Sequence, residues 1–268
     1  MRRFFISLVL AFIFLLPVLG QQLDIRIPLE GLISLPSNGL GYMLVFFHEL
    51  GHTVTRWFFG QPAIPSFDFE FGGGLTHAYD RSWLILGTIW LGMAAGAVWL
   101  WREMHYRALI WLAVVAGVHV LCVFTNGYDM VSVFMGHGAE VLVAGFCLLR
   151  AFWNTTEKSR GKAERWLNMI FGLFVLGHNL MMTAGLMLSD ISRSAYSMQK
   201  GGHLLGDLEK LAVATHTSVR AAAAFLCLFT LGIAVTVIYQ GFKYAPDENE
   251  LQKTFTRKRK LRNPPPQG

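Results

Sequence analysis

Long apolar runs constrain this chain more than any other feature. A helix of about 18 to 20 apolar residues spans a bilayer's hydrocarbon core. Runs of that kind occupy residues 82–101, 107–125, 130–153, 166–188 and 219–244. Hydrophobic residues make up 53% of the chain and charged residues only 15%. A soluble domain carries nearer 25% charged residues, so the polar surface here is too small to coat a water-exposed globule. Two more segments extend the pattern. Residues 4–20 follow Met1-Arg2-Arg3 and fit a signal peptide and a signal anchor equally. Residues 39–59 read as a second helix, after a connector at 21–37 that holds two prolines. The expected fold is an all-α integral membrane protein, a bundle of about six to seven transmembrane helices.

The polar segments between these runs carry their own signals. Phe67-Asp68-Phe69-Glu70-Phe71 alternates with a strand period, Gly72-Gly73-Gly74 breaks it, and residues 75–79 return as a second strand. A short hairpin is therefore expected after the second helix. Residues 189–218 read as a long, partly amphipathic loop, with 204–214 as an interfacial helix or lid. Nothing in that loop looks specific to catalysis. The net charge of +6 is concentrated in a tail with six basic residues between Lys253 and Arg262. Such a strip marks the cytoplasmic side and contacts anionic lipid. No motif or aromatic context supports nucleic-acid binding. Cys122, Cys147 and Cys227 lie inside apolar runs and read as buried small hydrophobes, not as a disulfide framework.

One motif carries chemistry. His48-Glu49-Leu50-Gly51-His52 fits H-E-x-x-H. On a helix, positions i and i+4 share a face, so both imidazoles reach one Zn2+ ion. Glu49, offset by one residue, serves as general base toward a zinc-activated water and then protonates the leaving amine. His48 lies nine residues into its apolar run, about 13 Å deep at 1.5 Å per residue. Histidines and a carboxylate at that depth are costly, which makes the cluster a functional hypothesis by default.

His-Glu-Leu-Gly-His within a hydrophobic helix resembles the site-2 protease family of intramembrane zinc metallopeptidases. Gly51 is typical of that family. The resemblance covers the motif helix closely and the multi-helix layout loosely to about residue 150. It implies zinc-dependent hydrolysis of peptide bonds in a membrane protein or membrane-associated peptide. It also implies a strand element after the motif helix, whose edge holds an extended substrate by main-chain bonds.

A catalytic zinc takes three protein ligands and keeps one position open. The family supplies an Asp from a later helix. The nearest match here is Asn126-Gly127-Tyr128-Asp129, in which Asp129 would bind metal and Asn126 would steady the oxyanion. It lacks the family's proline and the glycine after the Asp. His137 and Glu140, at i and i+3, form a rival pair of ligands. His119 and His178 read as hydrogen-bonded histidines facing the bundle. The resulting organisation is a signal peptide or anchor at 1–20, a metalloprotease-like membrane core at 21–153, additional transmembrane helices with an interfacial loop at 154–244, and the basic tail at 245–268. Two other functions fit the same residues: a non-catalytic zinc-binding membrane protein, or an ion or proton transporter.

Overall fold

The computed structural model describes residues 2–23, 25, 30–68, 73–153, 160–198 and 205–244. The basic tail, residues 154–159 of the polar linker and residues 69–72 of the expected hairpin lie outside the described residues. Helices dominate: α1 (Arg2–Leu23), α2 (Glu30–Phe58), α3 (Trp83–Arg102), α4 (Tyr106–Val123), α5 (Gly127–Trp153), α6 (Arg160–Leu188), α7 (Asp190–Met198), α8 (Asp207–Ala214) and α9 (Val219–Tyr244). Strands β1 (Ala63–Asp68) and β2 (Gly73–Ala78) pair antiparallel, with Ala63 opposite Ala78 and Asp68 opposite Gly73. The first strand begins four residues earlier than the alternation at 67–71 indicates.

Five of the described helices, α3, α4, α5, α6 and α9, are long and apolar enough to cross a membrane. That count is lower than the six to seven expected. The apolar part of α1, Phe4–Gly20, is too short, and α2 is diluted by the polar side chains of its motif. In α3 only 6% of the apolar span is buried within the protein, and in α4 only 11%. Leu84, Leu91 and Trp111 are left bare. Faces so apolar and so exposed call for a solvent of hydrocarbon, and the chain is membrane-associated.

Two segments depart from expectation. Residues 30–38 are helical, and Pro36 lies inside α2. Proline removes one backbone bond, but its fixed φ near −65° is helical, so the helix continues through it. The stretch 189–218 is not a loop. It holds α8, which falls within the 204–214 segment read as an interfacial helix, and α7, which is too short and too polar to be legible by apolar periodicity.

The chain divides into two compact units, and the division falls within α2, α5, α6 and α9. In the unit built from parts of residues 1–33, 141–180 and 229–268, Phe4, Phe152 and Phe242 form an aromatic triangle with ring centroids 5.3 to 6.0 Å apart. Leu148 packs where a Cβ on Gly172 would lie, 2.7 Å away. Small residues let these helices approach closely.

The other unit, residues 34–140 and 181–228, carries the motif. Here Phe59, Leu86 and Val123 form a buried cluster flanked by Trp90, Tyr128 and Val131. Gly60 ends α2: its φ is 77°, and the Gln61 N–H turns back to the Arg56 carbonyl at 2.9 Å. That left-handed stop favours glycine. His119 completes the helix end. Its Nε2 donates to the Phe58 carbonyl at 2.8 Å, while Trp90 donates to its Nδ1 at 3.3 Å. The hydrogen-bonded reading of His119 matches this geometry.

Candidate metal centre

The i, i+4 spacing on α2 brings the His48 and His52 ring centroids to 4.7 Å and their Nε2 atoms to 3.1 Å. A third atom joins them from an unexpected place. Asp207 Oδ2 lies 2.7 Å from His48 Nε2 and 2.9 Å from His52 Nε2. Asp207 opens α8, within the segment that looked free of catalytic signal. It lies 155 residues beyond His52 in sequence.

The far sides of both rings are already committed. His52 Nδ1 lies 2.7 Å from the Ser132 carbonyl, so it donates there. His48 Nδ1 lies 2.6 Å from Glu140 Oε1 and donates to that carboxylate. In a neutral imidazole the other nitrogen then carries a lone pair. Two lone pairs and a carboxylate oxygen therefore converge on one small space. A shared proton or a metal ion suits such a space. Two imidazoles and one carboxylate are a donor set that divalent transition metals accept. Burial works to raise the Asp207 carboxyl, but in the proton-loaded site the N–H bonds and charge of the two imidazoles outweigh it and hold the group well below the usual carboxylate range. It is a charged donor.

Room for the cation comes from α5. A Cβ on Gly136 would lie 2.5 Å from His52 Nε2 and 2.7 Å from His48 Nε2. Only glycine leaves that space open. The same two helices touch one residue away on each, where a Cβ on Gly51 would sit 2.1 Å from the Met135 carbonyl. Gly51 of the motif thus has a packing reason: it lets the α2 backbone approach the α5 backbone.

The other expected ligands fall into two groups. Glu140 and His137 lie behind His48, on its Nδ1 side. His137 Nδ1 is 3.4 Å from Glu140 Oε2, and the His137 and His48 ring centroids are 4.6 Å apart. His48, His137 and Glu140 form a second group able to hold a metal ion. A carboxylate that accepts the outer N–H of a ligating histidine fixes its tautomer and raises its basicity. Asp129 instead pairs with Arg56 at 3.4 Å, with 47% of its side chain exposed, and belongs to neither metal-capable group. Asn126 is exposed just before α5. The carboxylate that reaches both Nε2 atoms is Asp207, not Asp129. Its local signal was a lone Asp in Leu205-Gly206-Asp207-Leu208, too plain to stand out.

Neighbouring elements hold Asp207 in place. The Gly206 N–H donates to Glu209 at 2.7 Å, half of a capping box, and Ser197 donates to the other oxygen of Glu209. The Leu208 N–H donates to the Tyr196 hydroxyl at 3.3 Å, and the Tyr196 ring fills the space where a Gly206 Cβ would go. Burial pushes the Tyr196 phenol up, which keeps it neutral. Glu49, 4% exposed, faces the hairpin: its Oε2 accepts the Thr76 hydroxyl at 2.6 Å. No family model, curated protein or solved structure matches this chain.

Proposed function

We propose that this chain is a multi-pass membrane zinc metalloprotease that hydrolyses peptide bonds of membrane proteins or membrane-associated peptides. The observation that carries the reading is the convergence of His48 Nε2, His52 Nε2 and Asp207 Oδ2 around a space kept open by Gly136, on the helix that also carries Glu49. Zinc held there supplies Lewis-acid activation of water at neutral pH.

The chain's own residues do the rest. Glu140 and the Ser132 carbonyl take the Nδ1 protons and aim both Nε2 atoms inward. Asp207 adds the negative charge that favours a divalent ion over a proton. Glu49 takes a proton from the attacking water at its carboxylate and passes it to the leaving nitrogen. Water adds across the C–N bond, giving a carboxylic acid and an amine. The five long apolar helices support a bilayer setting for this reading, and the basic tail fits a cytoplasmic, anionic surface. The test is Glu49→Gln in the purified full chain. Zinc binding stays at the wild-type level while cleavage falls by about 10²- to 10⁴-fold, the usual contribution of a general base. Undiminished cleavage with zinc retained removes Glu49 from the chemistry, and the reading with it.

A further inference from the structure

We infer that Thr76 is a positioning residue for Glu49, so that the hairpin and the base act as one unit; the inference rests on the proteolytic reading above. Glu49 is 4% exposed. A buried carboxylate needs hydrogen-bond donors to replace the water it gives up. The donor is the Thr76 hydroxyl, 2.6 Å from Glu49 Oε2 and also 3.2 Å from the Glu49 carbonyl. One hydroxyl thus reaches both the side chain and the main chain of the same residue. It ties the end of a flexible side chain back to its own root, which restricts the rotamers open to it. Oε2 takes the Thr76 hydroxyl, and among the described residues no side-chain hydrogen bond engages Oε1.

A second observation points the same way. Residues two apart on a strand share a face, so Gly74 lies beside Thr76 on the side of β2 that meets Glu49. A Cβ on Gly74 would lie 2.4 Å from Glu49 Cγ and 2.6 Å from Oε1. The strand is shaped to this one side chain: glycine makes the slot and threonine holds the far end. The pairing of Pro65 with Thr76 and Phe67 with Gly74 sets the register of that slot. Trp57 closes the circuit by donating from Nε1 to the Ala63 carbonyl at 2.8 Å, anchoring β1 to the helix that carries Glu49.

The experiment uses the full chain, zinc-loaded in detergent micelles, with fluorescein-labelled casein as the cleavage probe. Thr76→Val removes the hydroxyl at nearly constant shape. Its kcat is expected to fall by about 10- to 100-fold, with KM and zinc stoichiometry unchanged. Thr76→Ser restores the donor and keeps kcat within about threefold of wild type. A thermal-unfolding cycle of Thr76→Val, Glu49→Gln and the double variant gives non-additive Tm shifts, because the two side chains touch. Wild-type kcat in Thr76→Val, or a Ser variant as impaired as the Val variant, overturns the inference. So do additive Tm shifts. A wild-type chain that shows the coupling but cleaves nothing strikes the proteolytic reading instead, and the two failures are thereby told apart.

Discussion

Asp207→Asn separates the site described here from the one its sequence suggests. The substitution keeps the shape of a side chain that is 7% exposed and removes its charge and one strong donor. A zinc site with four protein ligands is worth about 10–16 kcal/mol at neutral pH. A quarter of that, about 2.5–4 kcal/mol, corresponds to an affinity loss of roughly 10²- to 10³-fold. The thermal signature follows by linkage. At zinc 100-fold above Kd the wild-type chain gains about 2.7 kcal/mol. With Kd raised 1,000-fold, the gain at the same zinc concentration falls below about 0.1 kcal/mol. Competition with a chelating dye and zinc-dependent Tm, both on the full chain, read these two quantities. Asp129→Asn serves as the comparison. Its side chain is half exposed and paired with Arg56, so zinc affinity is expected to stay within about twofold. Asp207→Asn binding zinc as tightly as wild type, or Asp129→Asn losing as much as Asp207→Asn was expected to lose, would refute the assignment.

Two further substitutions probe the surroundings of the metal space. Glu140→Gln leaves a weaker acceptor for His48 Nδ1 and is expected to weaken zinc about 10- to 100-fold in the same dye competition; unchanged affinity would show that the 2.6 Å contact does not orient the ring. Gly136→Ala places a methyl 2.5 Å from His52 Nε2 and 2.7 Å from His48 Nε2. Zinc stoichiometry should drop to near zero while circular dichroism keeps its helical signal, and full stoichiometry would mean that α5 does not close over the rings.

Local sequence carried a good deal of this protein. The apolar runs located α3, α4, α5 and α9 to within three residues, and the end but not the start of α6, because helix length in hydrocarbon is set by the thickness to be crossed. H-E-x-x-H placed two imidazoles on one face for a reason internal to a single helix, namely that four residues make about one turn. The hairpin was legible from alternation, though not its starting residue. What stayed hidden has a common cause. Asp207 and Thr76 reach the motif from α8 and β2, and neither is tied to it by a fixed spacing. Asp129 sits in a stretch that resembles the family's ligand segment, yet Arg56 holds it.

The sequence by itself determined that the chain belongs with membranes, that α2 presents two histidines and a glutamate, and that α5 offers a His137/Glu140 pair. Tertiary structure alone decided which carboxylate meets both Nε2 atoms, which one stands behind His48, and why Gly136 has no side chain. Those are statements about distances between helices far apart in the chain. They are settled by how close the backbones can pack, a property of paired surfaces and not of any one stretch of residues.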